Sequence, residues 1–502
     1  MDLSLWEDPD PAEIIPLGSQ AEWDALLSRF GGINDQPLRR CLEVAQLGGA
    51  ACVVRETRYL DLDYRSEFSA FYSRTFAAIP DSATRLHFFR TQLAAEQLWT
   101  LPPDHGYLGY VVVRPSPIGQ VGRTMLVPPP DLAAAIRTGV TDEVNFFGQR
   151  LTVTGVPFMQ QDTQLGRCAH AAAWVCHYTS VRRGQVSRRP MAQFGLSVDP
   201  SVSLSRLVPS EGLTALQIMD LLRSFELAPR FYNVKQLPSS TAHPSWAVRP
   251  TKIPTTVPIP HPGLWDDRII QIACRYLNSG IPVLVGTADH AFVLCGYQRE
   301  PRKAGRDWIR FIRQDDQWGP YIEVSSVFND SDQAGNQYAP WQLLIAPLPD
   351  KLWLPAEPAE GSGGVRLEEL ATGVVAAVPE AQVLLDRIQS GRLTLRTYAA
   401  SSNDWKVALA GRVAPDLVRE YRTARFSRYI WVVEAIDREA RTAGQPSVLG
   451  EAIFDATSSD SDPNPLAVHV PGVALVARTD GGLRFPIRCD PSPYLSGGVG
   501  DP

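Results

Sequence analysis

The sequence predicts an α+β protein in three parts: a central domain whose helices precede its strands, flanked by two mixed α/β domains. Three observations lead there. Between residues 144 and 350, stretches of helical periodicity come first and apolar strand-like runs follow. Proline and glycine clusters punctuate the chain on both sides, around 115–130 and 347–364. A chain of 502 residues is also longer than one core usually serves, at about 150 residues per domain. The expected divisions are an N-terminal α/β domain at 1–143, a central domain at 144–350 with a proline-rich insertion at 237–263, a linker at 351–364, and a C-terminal mixed α/β domain at 365–502.

Composition narrows the classes of partner. With 44% hydrophobic and 20% charged residues, the chain has the make-up of an ordinary globular protein. Its formal charge of −6 gives no general attraction toward nucleic acid or anionic membrane, and neither is expected as a partner. Residues 1–10 are acidic and carry neither a basic nor an apolar targeting segment, and no later run approaches the ~18 apolar residues of a membrane span. A cytoplasmic location is therefore expected. Seven cysteines (Cys41, Cys52, Cys168, Cys176, Cys274, Cys295 and Cys489) are scattered singly, which suits reduced thiols better than a disulfide framework. Cys52, Cys176, Cys274 and Cys295 fall in apolar runs and are expected to be small core residues.

In the N-terminal part, residues 50–54 and 107–115 are rich in β-branched and aromatic side chains and are expected to be strands. Residues 64–76 and 84–98 between them are expected to be helices, with His87 a half-buried structural histidine. The central part carries the chemistry. A polar loop with Gln161 and Gln164 runs through Gly166-Arg167 into Cys168-Ala169-His170-Ala171-Ala172-Ala173, and alanine is the best helix former. A cysteine opening a helix meets unsatisfied main-chain N–H groups and the positive end of the macrodipole, which favour a thiolate, and Arg167 adds positive charge. Cys168 is the candidate nucleophile, and the same N–H groups suit an oxyanion if a second donor such as the Gln161 amide joins them.

Further helices are expected at 213–222, capped by Thr214, and at 266–279, ended by Gly280. Between them, seven prolines from Pro238 to Pro262 preclude regular helix or central strand. That stretch is expected to be an extended loop, either bordering the cleft and narrowing substrate choice or a passive insertion. Residues 280–286 and 289–297 then form strands, with His290 at the start of the second, and 308–313 form a third that runs out at Asp315. A histidine entering one strand and an acid leaving its antiparallel neighbour lie side by side, so the acid can hold the imidazole tautomer. After residue 364, strands are expected at 393–398, 428–435 and 448–455 and a helix at 415–424.

The glutamine loop, Cys168-Ala169-x-Ala171-Ala172, Ser279-Gly280-Ile281-Pro282-Val283, His290 with its apolar run to Gly296-Tyr297, and Asp315 ahead of Gly319 together resemble the papain-like cysteine peptidases, within them the bacterial double-glycine-peptidase-like branch. The resemblance spans roughly residues 150 to 350 and leaves both flanks unassigned. It implies a cysteine helix packed on an antiparallel sheet, with Cys168 as nucleophile, His290 as general base and acid, Asp315 as its orienter and Gln161 as oxyanion donor. Two departures keep alternatives open. Asp316 stands where that branch usually has proline, so either aspartate is a candidate to face the histidine. Asp162 stands at the usual glutamine place, which leaves Gln161 or Gln164 as the donor.

Zinc is a weaker reading. On a helix at roughly 100° per residue, His170, Cys176 and His177 turn by about 200°, 80° and 180° from Cys168, so four ligands do not converge. Phosphate-binding, zinc-protease and serine-hydrolase motifs do not occur in the sequence. The expectation is a hydrolase without cofactor or metal, a cysteine peptidase or isopeptidase acting on a protein or peptide. An acyltransferase or amidase on the same fold, and a non-catalytic papain-like scaffold, are the alternatives. Partner binding is expected of the flanking domains.

Overall fold

The computed structural model of the chain describes residues 11–116, 119–164, 166–197, 212–234, 267–300, 308–325, 341–409, 413, 415–459, 463–477 and 484–495. The proline-rich insertion expected at 237–263 lies outside them. The fold is α+β with antiparallel sheets, and it divides into two compact units. One comprises Met1–Asn233, Ile281–Glu300 and Trp308–Pro349, and the other Val234–Gly280, Pro301–Asp307 and Asp350–Pro502. Among the described residues, no helix is long and apolar enough to cross a membrane.

The first unit begins with a five-stranded antiparallel sheet in sequential order: β1 (Ala12–Pro16), β2 (Cys52–Tyr59), β3 (Ala83–Phe89), β4 (Tyr107–Val113) and β5 (Val121–Leu126). Helices α1 (Gln20–Phe30), α2 (Gln36–Leu47) and α3 (Leu62–Ala70) accompany it. β3 corrects the helix expected at 84–98. All seven of its residues are buried, as in a central strand covered on both faces. Arg85 and His87 alternate with Leu86 and Phe88 along it, and both polar side chains are buried against Glu56 of β2. His87 on it is fully buried rather than half-buried, between Glu56 and Tyr107.

A ribbon of β6 (Val140–Phe146) and β7 (Gln149–Gly155) follows, turning through Phe147 and Gly148, both with positive φ. The second sheet of this unit, in the order β12-β11-β10-β9-β13-β8, comprises β8 (Leu227–Asn233), β9 (Val283–Gly286), β10 (Ala291–Glu300), β11 (Trp308–Asp315), β12 (Gly319–Ser325) and β13 (Leu343–Pro349). Helix α4 (Cys168–Arg182) packs on β10 and β9 of this sheet, followed by α5 (Met191–Leu196) and α6 (Ala215–Ser224). Residues Ala169 to Ser180 of α4 are buried, and the small alanines let helix and sheet approach.

No break falls at residue 143, where a domain boundary was expected. One apolar core joins Trp23, Phe88, Val111 and Leu126 from before that point to Phe158, Cys295, Ile312 and Tyr321 from after it. The buried Tyr321 hydroxyl accepts from Val156 N (2.8 Å) and donates to Leu126 O (2.8 Å), tying β12 to β5.

In the second unit, α7 (Asp267–Asn278) and α8 (Ala356–Val374) accompany a six-stranded antiparallel meander of β14 (Leu393–Ser401), β15 (Tyr429–Asp437), β16 (Val448–Asp455), β17 (Pro465–Val470), β18 (Val473–Ala477) and β19 (Arg484–Arg488). Two expectations are corrected here. The helix at 266–279 belongs to this unit and not to the one that carries Cys168. The linker expected at 351–364 is largely the first half of α8, whose Gly361, Gly363 and Gly364 are buried. A side chain at Gly363 would meet Val433 at 2.8 Å, so this glycine provides close helix–sheet packing instead of chain freedom.

Candidate active site

The turn that presents Cys168 is built on Asp162. Its Oδ1 accepts the main-chain N–H groups of Gln164 (3.2 Å) and Gly166 (2.7 Å), and its Oδ2 accepts the Tyr72 hydroxyl (2.9 Å). Thr163 takes a positive φ of 64° in this turn. The chain then enters α4, where His170 Nδ1 accepts the main-chain N–H of Arg167 at 3.2 Å and closes the helix start. Burial pulls the His170 pKa down to about 4, so it serves as a neutral acceptor there. Cys168 occupies the first helical position and is partly exposed.

His290 stands at the mouth of the β9–β10 hairpin. Thr287 holds it in place by donating its main-chain N–H to His290 O (2.8 Å) and accepting the His290 N–H on its hydroxyl (3.1 Å). Asp315 ends β11, the strand paired with β10. The turn after it is closed by Trp318 N–H donating to Asp315 O at 3.1 Å. Gly319 there has a φ of +115°, and a side chain on it would strike Arg40 of α2 at 2.5 Å. Arg40 in turn donates to the carbonyls of Pro320 (3.2 Å) and Tyr321 (3.0 Å), so the N-terminal helix buttresses the turn that carries the acid.

These elements bring Cys168, His290 and Asp315 together. His290 Nε2 lies 3.0 Å from Asp315 Oδ1, and the imidazole also interacts with the Cys168 side chain. Nδ1 has no full-geometry hydrogen bond of its own and is the nitrogen left to the thiol. Asp315 is wholly buried, receives Gln317 N–H on Oδ1 (3.1 Å), and has Arg313 Nε 3.3 Å from Oδ2. Burial alone would lower the His290 pKa, but the Asp315 hydrogen bond, the Cys168 contact and the charges of Asp315 and Asp316 raise it to about 10. Burial likewise works against ionisation of Asp315, yet its bond to His290 and the Arg313 charge hold its pKa below the usual carboxylate value. The arrangement is an imidazolium clamped on one side by an ionised acid and open on the other to a thiol.

No protein-family model matches the chain, and no curated protein matches it either.

Between the two aspartates the distances discriminate: Asp315 is in hydrogen-bond contact with Nε2, whereas Asp316 Oδ1 is 3.9 Å away. Gln161 and Gln164 both lie in the loop ahead of α4, and neither side chain makes a hydrogen bond that would single it out. His177 is engaged elsewhere: its Nε2 accepts the Arg189 N–H at 3.1 Å. Cys52, Cys176, Cys274 and Cys295 are buried as expected, and burial raises the thiol pKa of Cys52, Cys176 and Cys295. Among the described residues, His290, Asp315 and Asp316 are the one His/acid trio with ligand-capable atoms within 4.8 Å of one another, and the Asp315 oxygens already face His290, Gln317 and Arg313.

Sequence reasoning misses what holds the site: the Asp162 turn, the Arg313 clamp, and the buried pair of Arg114 and Glu67. Arg114 Nη1 lies 3.0 Å from both Glu67 oxygens, and Nη2 donates to Gln160 O (2.7 Å) just before the cysteine loop. Asp162 followed by Gly166 is a local turn signature that sequence alone offers. The Arg114–Glu67 pair, 47 residues apart, has no such signal.

Proposed function

We propose that the protein is a cysteine peptidase or isopeptidase of papain-like design that hydrolyses a peptide or amide bond through a Cys168 acyl-enzyme. The observation that carries this reading is the 3.0 Å contact of His290 Nε2 with buried Asp315, on an imidazole that also meets Cys168. In that geometry the Cys168 sulfur, once its proton has gone to solvent, attacks the substrate carbonyl carbon while the imidazolium keeps its own proton on the nitrogen that faces it. The oxyanion then falls near the first-turn N–H groups of α4, which the start of a helix leaves without intrahelical partners, with the Gln161 amide as the expected second donor. His290 gives its proton to the leaving amine as the C–N bond breaks. Water, deprotonated by the imidazole, attacks the thioester and releases the acid.

The substrate class is protein or peptide, and the second unit, which shows no comparable constellation among the described residues, is assigned to substrate or partner binding. A cytoplasmic setting fits seven cysteines that are all free thiols. The test is labelling by an iodoacetamide probe together with an unbiased peptide cleavage profile. Labelling and cleavage are expected in the wild type and in Cys176→Ala, and both are expected to vanish in Cys168→Ala. Labelling that survives Cys168→Ala unchanged would sink the reading, and products joined to an amine, without free termini, would redirect it to acyl transfer.

A further inference from the structure

Asp316 has no role in the triad, yet its placement is unusual. It is only 5% exposed, and neither carboxylate oxygen has a partner in full hydrogen-bond geometry. The nearest main-chain donors, of Gln161 and of Asp316 itself, favour its charge without forming such bonds. Its Oδ1 is 3.9 Å from His290 Nε2. It lines a cavity of about 10 Å³ with Phe158, Met159, Ala171, Ala172 and Phe292, room for about one water among mostly apolar walls. The charged and titratable groups around it are His290 at the entry to β10, Asp315 and Arg313 on β11, and Cys168 on α4 through the imidazole. A buried carboxylate with no committed donors is costly to ionise, and a second anion beside Asp315 adds to that cost.

We propose that Asp316 is a positioning residue for the Cys168–His290 pair, uncharged when the site is poised and a second negative charge beside the imidazolium once ionised, so that the charge facing the pair changes by one unit at this buried carboxyl. Burial, reinforced by Asp315 and opposed by His290, raises its pKa to about 7, whereas that of His290 is raised to about 10. The two events are therefore separated in pH. The role rests on the reading of Cys168 as nucleophile and His290 as its partner.

Two alkylating reagents of different charge isolate the effect. Iodoacetate and iodoacetamide attack the same thiolate, so the ratio of their rates at Cys168 cancels the thiolate fraction and reports the charge facing the sulfur. In the wild type, followed by mass spectrometry on the full chain, the iodoacetate/iodoacetamide ratio is expected to fall about threefold or more as pH rises from about 6 to about 8. In Asp316→Asn it should stay at its low-pH value across that range. A flat ratio in the wild type, or the same fall in Asp316→Asn, would overturn the proposal while leaving the peptidase reading intact. Failure of either reagent to select Cys168 in any variant would overturn the peptidase reading, and this role with it. Should Asp316→Asn not fold, Asp316→Glu keeps the acid but moves it by one methylene. It should displace the fall along the pH axis, and an unmoved fall would count against Asp316.

Discussion

At the scale of single residues, His290 is held protonated by its surroundings, and that has two consequences of definite sign. Its pKa, raised from 6.5 to about 10, means the folded state binds the proton more tightly than the unfolded chain. The stabilisation is therefore complete below the unfolded value and is lost as pH rises through about 10. Asp315 works in the opposite sense: its lowered pKa contributes stability above its unfolded value, lost as pH falls through the folded one. The imidazolium is also the acid that the leaving amine needs in the proposed mechanism. Cleavage is thus expected to decline as pH rises through about 10, with the fold still intact by circular dichroism at the onset of the decline. Asp315→Asn should lower the upper limb by at least about one pH unit, because the carboxylate charge that holds the proton is gone. A pH–rate profile of the two proteins checks this, and an upper limb that does not move in the variant would mean another group sets it.

At the scale of elements, α4 is only as well aimed as the turn ahead of it. Asp162 ties that turn through Gln164, Gly166 and Tyr72, so Asp162→Ala removes three hydrogen bonds at a stroke. The expected loss is about 1–3 kcal/mol of unfolding free energy, since Tyr72 and the turn N–H groups are left to find other acceptors. The rate of Cys168 alkylation should change more than that of the other thiols, of which Cys41, Cys52, Cys176, Cys274 and Cys295 are buried. Urea denaturation and competitive labelling measure the two effects, and a variant with unaltered stability and unaltered labelling would deny the turn its role. The cysteine helix, the histidine at a strand entry and the acid at a strand exit are legible in the sequence because each is a local pattern: an alanine run, an apolar stretch after His290, another ending at Asp315. The segment from Thr84 to Phe89 is not, because the partner that lets its Arg85 and His87 be buried, Glu56, stands on the neighbouring strand and leaves no local signal. Gly361, Gly363 and Gly364 read as a linker by composition, and only the approach of Val433 shows that Gly363 is there for packing.

At the scale of the whole molecule, the partition of the chain follows long-range contacts that no local signal carries. Helix α7 lies between β8 and β9 in sequence, both strands of the unit that carries Cys168, yet its side chains complete the other unit. Its Arg275 meets buried Glu360 of α8 through two bonds, Nε to Oε2 at 2.8 Å and Nη2 to Oε1 at 2.7 Å. Glu360 also accepts from Thr397 (2.7 Å), Ser279 just beyond α7 accepts the Ala399 N–H (2.8 Å), and Tyr276 packs edge-on against Trp431. The unit that starts at residue 350 is therefore incomplete without a helix that precedes it by more than seventy positions (350 − 278 = 72). Arg275→Met keeps the length and apolar stem of the side chain but leaves Glu360 without its guanidinium, and breaking a buried pair from one side costs about 3–5 kcal/mol. Guanidinium denaturation should register a loss of that order, and the double variant Arg275→Met with Glu360→Gln should recover part of it by removing the stranded charge. A fragment of 350–502 should be less stable than the same residues in the full chain for the same reason. If that fragment instead folds with full stability, α7 is packed there without being required, and the interleaving of the two units has no energetic meaning.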